Sequence, residues 1–265
     1  MFSDEHIKFL KKLRFEKFIV LLFRFLIVFI FLFLWQLLVD LNVLNSFILS
    51  SPLNVVKTLI SLFKSNTLFE HIFVTLYEVL ICFVLTTLVG VFVASILWLN
   101  KILAKIFDPF LTILNSLPKV SLGPIIIIWF GANVKSIIIM ALLISVMNSV
   151  ISIFQGFKEV DNYKITLMQS LGANKFQIFF KLILPANYSN IISTLKINIS
   201  MSLIGVIMGE LLVSKKGIGY LIMYGSQVFN LDLVMTGIIL LGIISAIIYY
   251  LILFIEKKLV QNQCY

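Results

Sequence analysis

Long apolar runs, each about the length of a membrane crossing, dominate the pattern along this chain of 265 residues. A crossing helix needs about 20 mostly apolar residues because the hydrocarbon core of a bilayer is about 30 Å thick. Short stretches with lysine, glycine or asparagine separate the runs. The pattern therefore predicts an all-α integral membrane protein. Its transmembrane helices, about six, are predicted at residues 18–39, 72–98, 106–131, 133–156, 188–212 and 231–255.

The third of these helices is interrupted by Pro118, Gly123 and Pro124. A break of this kind frees backbone groups, which at membrane depth need partners in protein or in a water-filled cavity. Broken helices are common at the binding sites of transporters, although a packing kink without function gives the same pattern. We take Pro118, Pro124 and Trp129 from this segment, with Glu210 in the fifth helix, as candidates to line a translocation pathway.

Two shorter segments are amphipathic or rich in glycine. Segment 50–64 has Pro52 at a position that suits the first turn of a helix, and this helix is predicted to lie along the membrane surface. Segment 214–230 is mildly apolar and is predicted to dip back toward the membrane. For both segments, a surface helix that only caps the bundle is an equal alternative. The apolar stripe of the first segment comprises Val55, Val56, Leu59, Ile60 and Phe63.

Composition and charge agree with a membrane location. Hydrophobic residues make up 61% of the chain and charged residues 12%, whereas a soluble domain is about 25% charged. The net charge is +9. The basic residues that produce it lie between the apolar runs, as in membrane proteins, and form no nucleic-acid-binding patch. Thirteen Lys or Arg residues fall on one predicted side and five lysines on the other, so both termini are predicted to be cytoplasmic. The five are Lys57, Lys64, Lys135, Lys215 and Lys216.

The sequence offers no catalytic or metal-binding motif. It contains no zinc-protease, P-loop, nucleophile-elbow or dithiol pattern, and its two histidines and two cysteines have no plausible partners. We therefore predict no catalytic residue, metal or cofactor, and expect any energy for transport to come from a partner. Ionisable residues inside the spans either bond a neighbouring helix or contact substrate. They are Arg24, Glu78, Lys196 and Glu210, with Asp108 near a border.

The loop between the fourth and fifth helices predicts two helices joined at a corner. Glu159 and Asp161 suit a helix start, and Gly172 suits a helix end. Asn174 and Gln177 have the spacing of a capping box that opens the second helix. Pro185 is predicted to end that helix. One apolar face of the first helix comprises Val160, Tyr163, Leu167, Met168 and Leu171.

This loop is more elaborate than a connector needs to be. A shaped, amphipathic helix pair indicates docking to another protein, and a helix pair lying on the membrane surface is the alternative.

The loop resembles the cytoplasmic "EAA" loop of permease subunits from binding-protein-dependent ABC importers. Gly172, Leu182, Leu184 and Pro185 occupy the family's glycine, aliphatic and Leu-Pro positions. Residues 166–168, Thr-Leu-Met, stand where the family has Glu-Ala-Ala.

The resemblance extends from about residue 51 to residue 259, which would be the permease core, with the coupling loop at 157–187. The blocks "SPLNVV", "TLYEVL", "LPKVSLGPIIIIWFG" and "MGELLVSKKGIGYLI" are similar to the nitrate, sulfonate and taurine branch. Glu78 stands where an arginine is usual and Cys82 where a glycine is usual. Residues 1–50 would form the N-terminal cytoplasmic segment and first transmembrane helix, and residues 260–265 the tail.

The resemblance implies a type I importer permease, similar to the methionine importer's permease, in the cell membrane. Its partners would be a second permease subunit, an ATPase and an extracytoplasmic binding protein. Helix 160–174 would couple to the ATPase, and a small anion such as a sulfonate, taurine or nitrate would be transported. A thiamine-precursor pyrimidine or riboflavin is the alternative cargo. The coupling residues would be Tyr163, Leu167, Met168, Leu171, Gly172, Ala173, Phe176, Leu184 and Pro185.

Two other classes of protein remain alternatives. A self-sufficient channel or ion-coupled carrier would transport alone and would need stronger charge pairs inside the spans. A membrane-embedded enzyme would need a catalytic constellation, which the sequence does not offer.

Overall fold

The computed structural model describes the backbone of residues 4–261. Side chains are described for residues 12, 13, 15, 16 and 18–254. Most of the predicted tail 260–265, including Cys264, therefore lies outside the described residues, as do the side chains of His6, Lys8 and most of the other N-terminal basic residues. The chain is 88% helical, and the described part contains no strand.

The described helices follow the predicted runs closely. The first seven are α1 (Asp4–Asp40), α2 (Ser46–Leu49), α3 (Pro52–Lys64), α4 (Thr67–Leu99), α5 (Lys101–Ser116), α6 (Gly123–Phe130) and α7 (Val134–Lys158), with a 3₁₀ turn at Lys119–Leu122 before α6. The remaining six are α8 (Asn162–Ser170), α9 (Lys175–Ile178), α10 (Leu184–Ala186), α11 (Tyr188–Val213), α12 (Ile218–Gln227) and α13 (Leu231–Gln261), with a π-helical turn at Phe179–Ile183 before α10.

Five of the described helices are long and apolar enough to cross a membrane. The sixth predicted crossing is a broken pair, in which α5 and the segment Lys119–Phe130 meet at 85°. The predicted break at Pro118–Pro124 is thereby confirmed, and a continuous third helix is excluded. The five unbroken spans are Phe18–Asp40 within α1, then α4, α7, α11 and Leu231–Phe254 within α13.

The core consists of α4, α7 and α11. Leu97 near the end of α4 and Phe157 near the end of α7 share one buried cluster, while Val79 and Ile137 share another, so α4 and α7 run parallel. Segment 157–187 lies at the first cluster, and we call this the α8 end of the bundle. The opposite end, where α12 lies, is the α12 end. After α4 ends at the α8 end, the broken pair returns the chain to the α12 end, where α7 begins.

Small residues let α11 approach α7 closely. A Cβ atom added to Gly205 would lie 2.6 Å from Cα of Ala141, and one added to Gly209 would lie 2.8 Å from Cγ2 of Ile137. Membrane helices associate by such close packing because lipid provides no hydrophobic driving force between them.

The two short segments at the α12 end pack onto the bundle. Ser51 caps α3 by accepting a hydrogen bond from the backbone N–H of Asn54 (3.2 Å), and Pro52 occupies the first turn as predicted. The predicted apolar stripe of α3 divides into two parts. Val55 is buried and Leu59 packs against the cluster of Ile218 and α13, whereas the other three stripe residues are exposed. The stripe is divided because bundle and lipid both take apolar side chains. The three exposed stripe residues are Val56, Ile60 and Phe63.

The predicted helix end at Pro185 is wrong. Leu184, the residue before the proline, is helical (φ −62°, ψ −48°), and the chain continues to Asn187 before it turns into α11. The π-helical turn that precedes Pro185 explains this. Its wider hydrogen-bond spacing moves the carbonyl groups with which the proline ring of a regular helix would clash.

Candidate functional site: a docking loop and a buried polar seam

The corner between α8 and α9 is fixed by backbone hydrogen bonds. Asp161 caps α8 by accepting from the N–H of Tyr163 (2.8 Å). At the other end, Gly172 has φ +78°, its N–H donates to the carbonyl of Gln169 (2.9 Å), and the N–H of Ala173 donates to the carbonyl of Met168 (3.0 Å). These two bonds define a Schellman motif, which places glycine where the left-handed conformation is needed.

The predicted capping box is confirmed. The Asn174 side chain accepts from the N–H of Gln177, and the Gln177 side chain accepts from the N–H of Asn174, both at 2.8 Å. The corner is therefore capped on both sides by local bonds, and its shape does not depend on a partner.

The apolar face predicted for α8 divides between the bundle and solvent. Val160, Met168 and Ala173 pack against the buried cluster at the α8 end, as does Leu184. Three residues spaced by four point outward, with Tyr163 75%, Leu167 51% and Leu171 76% exposed. Phe176, 63% exposed, extends this set beyond the corner. We call these four residues the exposed stripe.

Aromatic packing anchors the loop to the membrane helices. Phe179, 2% exposed, lies between Trp98 of α4 and Phe157 of α7, with ring centroids 5.5 Å from each. The Phe157 contact is edge-to-face, an arrangement that aromatic rings prefer. The π-helical turn that follows α9 is therefore held against the ends of α4 and α7 by packed aromatic contacts.

The pathway candidates on the broken segment are all exposed. Pro118 precedes the 3₁₀ turn, Pro124 lies in the first turn of α6, and Trp129 near its end is 73% exposed. Gly123 holds the segment against the core, since a Cβ there would lie 2.6 Å from Leu212 of α11. Glu210, the fourth candidate, is not exposed with them, because its side chain is fully buried.

Glu210 instead joins three helices at the α12 end. Its Oε1 accepts from the hydroxyl of Thr75 on α4 (2.6 Å), and its Oε2 accepts from the N–H of Gly219 on α12 (2.6 Å). The Thr75 hydroxyl also accepts from the N–H of Ile218 (2.9 Å). The carboxylate therefore binds the free amide of Gly219 at the first turn of α12, where the helix dipole favours negative charge.

Neighbouring contacts complete this junction. His71 Nδ1 accepts from the N–H of Gly217 (3.0 Å), and Lys216 pairs with Glu70. Gly217 has φ +109°, and a Cβ there would lie 2.4 Å from Cδ of Glu210, so only glycine fits. The sequence pattern did not identify Thr75 or His71 as part of a junction, because their partners lie about 140 residues away.

Glu78 lies beside Glu210, with which it interacts electrostatically. It is 1% exposed, and neither of its carboxyl oxygens forms a hydrogen bond of normal geometry. The structure thus brings together two of the ionisable residues that are far apart in the sequence.

A polar seam continues from these carboxyl groups along the interfaces of α4, α7 and α11. The hydroxyls of Thr86 and Ser145 lie 2.6 Å apart, and Asn198 Nδ2 donates to Ser149 Oγ (3.0 Å). The seam was detectable on α4, where small or polar residues recur every three or four positions and all are buried. They are Thr75, Glu78, Cys82, Thr86, Gly90 and Ala94.

The described residues contain no group of three or more His, Cys, Asp or Glu side chains placed to hold a metal ion. The architecture consists of a bundle of packed membrane helices, a broken helix with exposed residues, and α8, which lies at one end of the bundle and exposes apolar side chains. Together these features define a transport permease, a multi-pass subunit that provides a membrane pathway.

The family follows from comparison with known proteins. Residues 86–262 match the model of the binding-protein-dependent transport system inner membrane component, and the chain belongs to that family. It is therefore the permease subunit of an ABC importer and an inner-membrane protein. The family resemblance seen in the loop sequence is thereby confirmed.

Relatives with assigned cargo differ in what they carry. The chain is 27% identical to the putative aliphatic sulfonates transport permease protein of Bacillus subtilis, over 86% of this chain and 83% of that one. It is 26% identical to the formylaminopyrimidine transport permease protein of Halalkalibacterium halodurans, over 66% of this chain and 69% of that one.

A solved structure confirms the predicted fold. An inward-facing form of the MetNI methionine ABC transporter contains a chain that matches with a TM-score of 0.60 and 20% identity. The match covers 71% of this chain and 92% of that chain. The all-α, methionine-importer-like permease bundle is therefore the fold of this protein.

Proposed function

We propose that this permease is driven by a separate ATPase subunit that docks on the exposed stripe of α8. The supporting observation is an apolar surface of four side chains that runs from α8 across the corner to Phe176 of α9. Local caps fix the geometry of this corner, and the segment that follows it is packed onto α4 and α7. Apolar side chains presented in this way outside the membrane spans are typical of a helix that inserts into a groove of a partner.

The coupling follows from the anchorage of the loop. When the ATPase closes on ATP, it moves α8, and Phe179 transmits the movement to Trp98 and Phe157. Since α4, α7 and α11 are closely packed, they respond together and not one at a time. The chain itself performs no hydrolysis.

The α8 end is cytoplasmic in this proposal. With the broken pair counted as one crossing, the chain crosses six times and its two termini lie on the α8 side. Thirteen Lys and Arg residues of the connecting and terminal segments fall on this side and five on the other, as expected if the α8 end is the cytoplasmic face. The α12 end then meets the binding protein.

A second permease subunit, most simply another copy of this chain, completes the pathway. The exposed residues Pro118, Pro124 and Trp129 line it together with residues of α11. Glu210 remains a candidate contributor, acting from its buried position through the α12 junction.

The transported solute is proposed to be a small organic anion of the sulfonate or taurine type. The support is the similarity to a sulfonate permease and the lysines at the α12 end, which attract anions to the entrance. A formylaminopyrimidine-like solute is the alternative, supported by the second relative.

The test is recovery of the tagged chain from its native membrane in mild detergent, with partners identified by mass. Recovery of an ATPase and a binding protein supports the proposal. The binding protein is then tested for thermal stabilisation by taurine, alkanesulfonates and formylaminopyrimidine, which distinguishes the two cargo classes. Recovery of the chain alone, under conditions in which a control importer stays assembled, contradicts coupling to an ATPase and favours a self-sufficient carrier.

A further inference from the structure

A cleft of about 620 Å³ opens at the α8 end, between α5, the end of α7 and α8. Its volume lies within the range of about 300–1,000 Å³ that is usual for ligand sites. Four lysines line it, namely Lys101, Lys105, Lys158 and Lys175, against one acidic residue, Asp108. We call it the basic cleft.

The charges of the basic cleft are only partly neutralised. Asp108 pairs with Lys158 (3.6 Å), and the Lys158 ammonium lies 4.4 Å from the centroid of the Phe154 ring. Within the described part of the chain, Lys101, Lys105 and Lys175 form no ion pair. Three cationic groups therefore remain available to a ligand.

The floor of the cleft is apolar. Leu97 and Trp98 at the end of α4, with Phe154 and Phe157 of α7, contribute to it. A rim of ammonium groups above an apolar floor is complementary to an anionic amphiphile. A small hydrophilic anion would leave that floor without a partner.

The position of the cleft indicates where such a molecule comes from. The cleft lies at the ends of α4 and α7, where their apolar spans give way to segments that carry lysine, and such ends of membrane helices are expected near the lipid headgroups. α8 faces the cleft with Ile165 and Gln169 and turns Tyr163 and Leu167 away from it. A ligand in the cleft and a protein on the exposed stripe therefore use opposite sides of α8.

We propose that the basic cleft binds the phosphate headgroup of an anionic phospholipid, with the upper part of the acyl chains against its apolar floor. The site is separate from the translocation pathway, and its occupancy fixes α8 relative to α5 and α7. The proposal concerns the permease chain itself and does not require the ATPase assignment to be correct.

The experiment is native mass spectrometry of the purified chain, released from nanodiscs that contain phosphatidylglycerol and phosphatidylcholine. K101Q/K105Q removes two lysines of the cleft. K164Q/K181Q is the matched control, since it removes the same charge from two exposed lysines outside the cleft at the same end of the bundle. All four side chains are exposed, so both variants are expected to fold.

The expected result is retention of phosphatidylglycerol in preference to phosphatidylcholine by the wild-type chain and the control. Removal of each cleft lysine should weaken retention of phosphatidylglycerol roughly fivefold, because that is the contribution of one lysine to binding at an anionic lipid surface. A third variant, Ala104→Phe, fills the cleft without changing its charge, and it should also lose the lipid while keeping its thermal midpoint.

Three outcomes overturn the proposal. If the wild-type chain shows no preference for phosphatidylglycerol over phosphatidylcholine, the site does not exist. Equal loss in the cleft variant and the control indicates general attraction of lipid to a basic surface. Full displacement of the lipid by an excess of inorganic phosphate assigns the cleft to a free anion.

Discussion

Thr75 and Glu210, separated by 135 residues in the sequence, are joined by a hydrogen bond of 2.6 Å in the interior of the bundle. The same threonine hydroxyl accepts the amide of Ile218 (2.9 Å). One hydroxyl group thus connects α4, α11 and α12, and the arrangement at the α12 end depends on it.

Thr75→Val is expected to destabilise the chain. Valine keeps the shape but leaves both the Glu210 oxygen and the Ile218 amide without this partner, and each buried unpaired group costs about 1–3 kcal/mol. The thermal midpoint of the detergent-solubilised protein measures the effect. Thr112→Val is the control, because the Thr112 hydroxyl is exposed and bonds only to the Asp108 carbonyl of its own helix. Equal midpoints for the two variants would contradict the role given to Thr75.

Glu210→Lys is expected to impair assembly or transport. An ammonium group cannot accept the bonds from Thr75 and Gly219, whereas the amide oxygen of Glu210→Gln can accept one of them. Membrane yield and solute uptake of the two variants should therefore rank wild type, then glutamine, then lysine. If the lysine variant matches wild type in both measurements, Glu210 is a tolerated residue and not a junction.

Gly172→Ile is expected to uncouple ATP hydrolysis from transport while the chain remains inserted. A Cβ at this position meets nothing within 4 Å, so the cost comes from φ +78°, which a β-branched residue adopts poorly. The penalty of about 1–2 kcal/mol favours a different angle between α8 and α9. Gly172→Asn is the matched variant, since asparagine tolerates the left-handed conformation, and it should retain coupling.

The measurement is the number of ATP molecules hydrolysed per solute transported in proteoliposomes. Normal coupling in the isoleucine variant would show that the corner does not set the position of the docking helix.

Leu167→Asp is expected to abolish recovery of the ATPase without unfolding the permease. The leucine belongs to the exposed stripe and is 51% exposed, so a charge there disrupts an apolar contact with a partner and not the core. Thr166→Asp places the same charge on the neighbouring position outside the stripe. The two variants are compared by the amount of ATPase that copurifies with each, and equal recovery would remove the stripe from the interface.

Gly205→Ala is expected to lower stability by roughly 1–3 kcal/mol, because the added methyl group would lie 2.6 Å from the Ala141 backbone and would force α7 and α11 apart. Gly242→Ala makes the same change where no atom lies within 4 Å, so its midpoint should not fall. A similar midpoint for both alanine variants would mean that the α7–α11 contact yields easily.

The features that the sequence predicted are those set by neighbouring residues. The spacing of Asn174 and Gln177 predicts a capping box because both partners lie within one turn. Gly172 predicts a corner because the left-handed conformation is a property of that residue, and Pro118 and Pro124 predict a break because proline removes backbone donors. None of these inferences needed a distant contact.

The features that were missed or wrong depend on distant contacts or on helix types without a sequence signal. Glu78 and Glu210 were recognised as unusual, but not as neighbours, since nothing local links α4 to α11. The helix did not end at Pro185 because a π-helical turn preceded it. The stripes of α3 and α8 divided between two surroundings because an apolar side chain suits bundle, lipid and protein partner alike.

The hydroxyl groups of the polar seam also bear on how the helices enter the membrane during synthesis. Ser145 donates to the carbonyl of Ala141 (2.8 Å) and Thr194 to that of Asn190 (2.9 Å), so each is satisfied within its own helix before any neighbour arrives. Asn198 and Glu210 bond to residues of α4, α7 and α12, and α11, which carries them, is the least apolar of the five unbroken spans described. Since α4 and α7 are made before α11, the ribosome delivers the partners of Asn198 and the Thr75 partner of Glu210 first, and only Gly219 of α12 follows. To that extent, the order of synthesis matches the order in which the bundle can accept its most polar span.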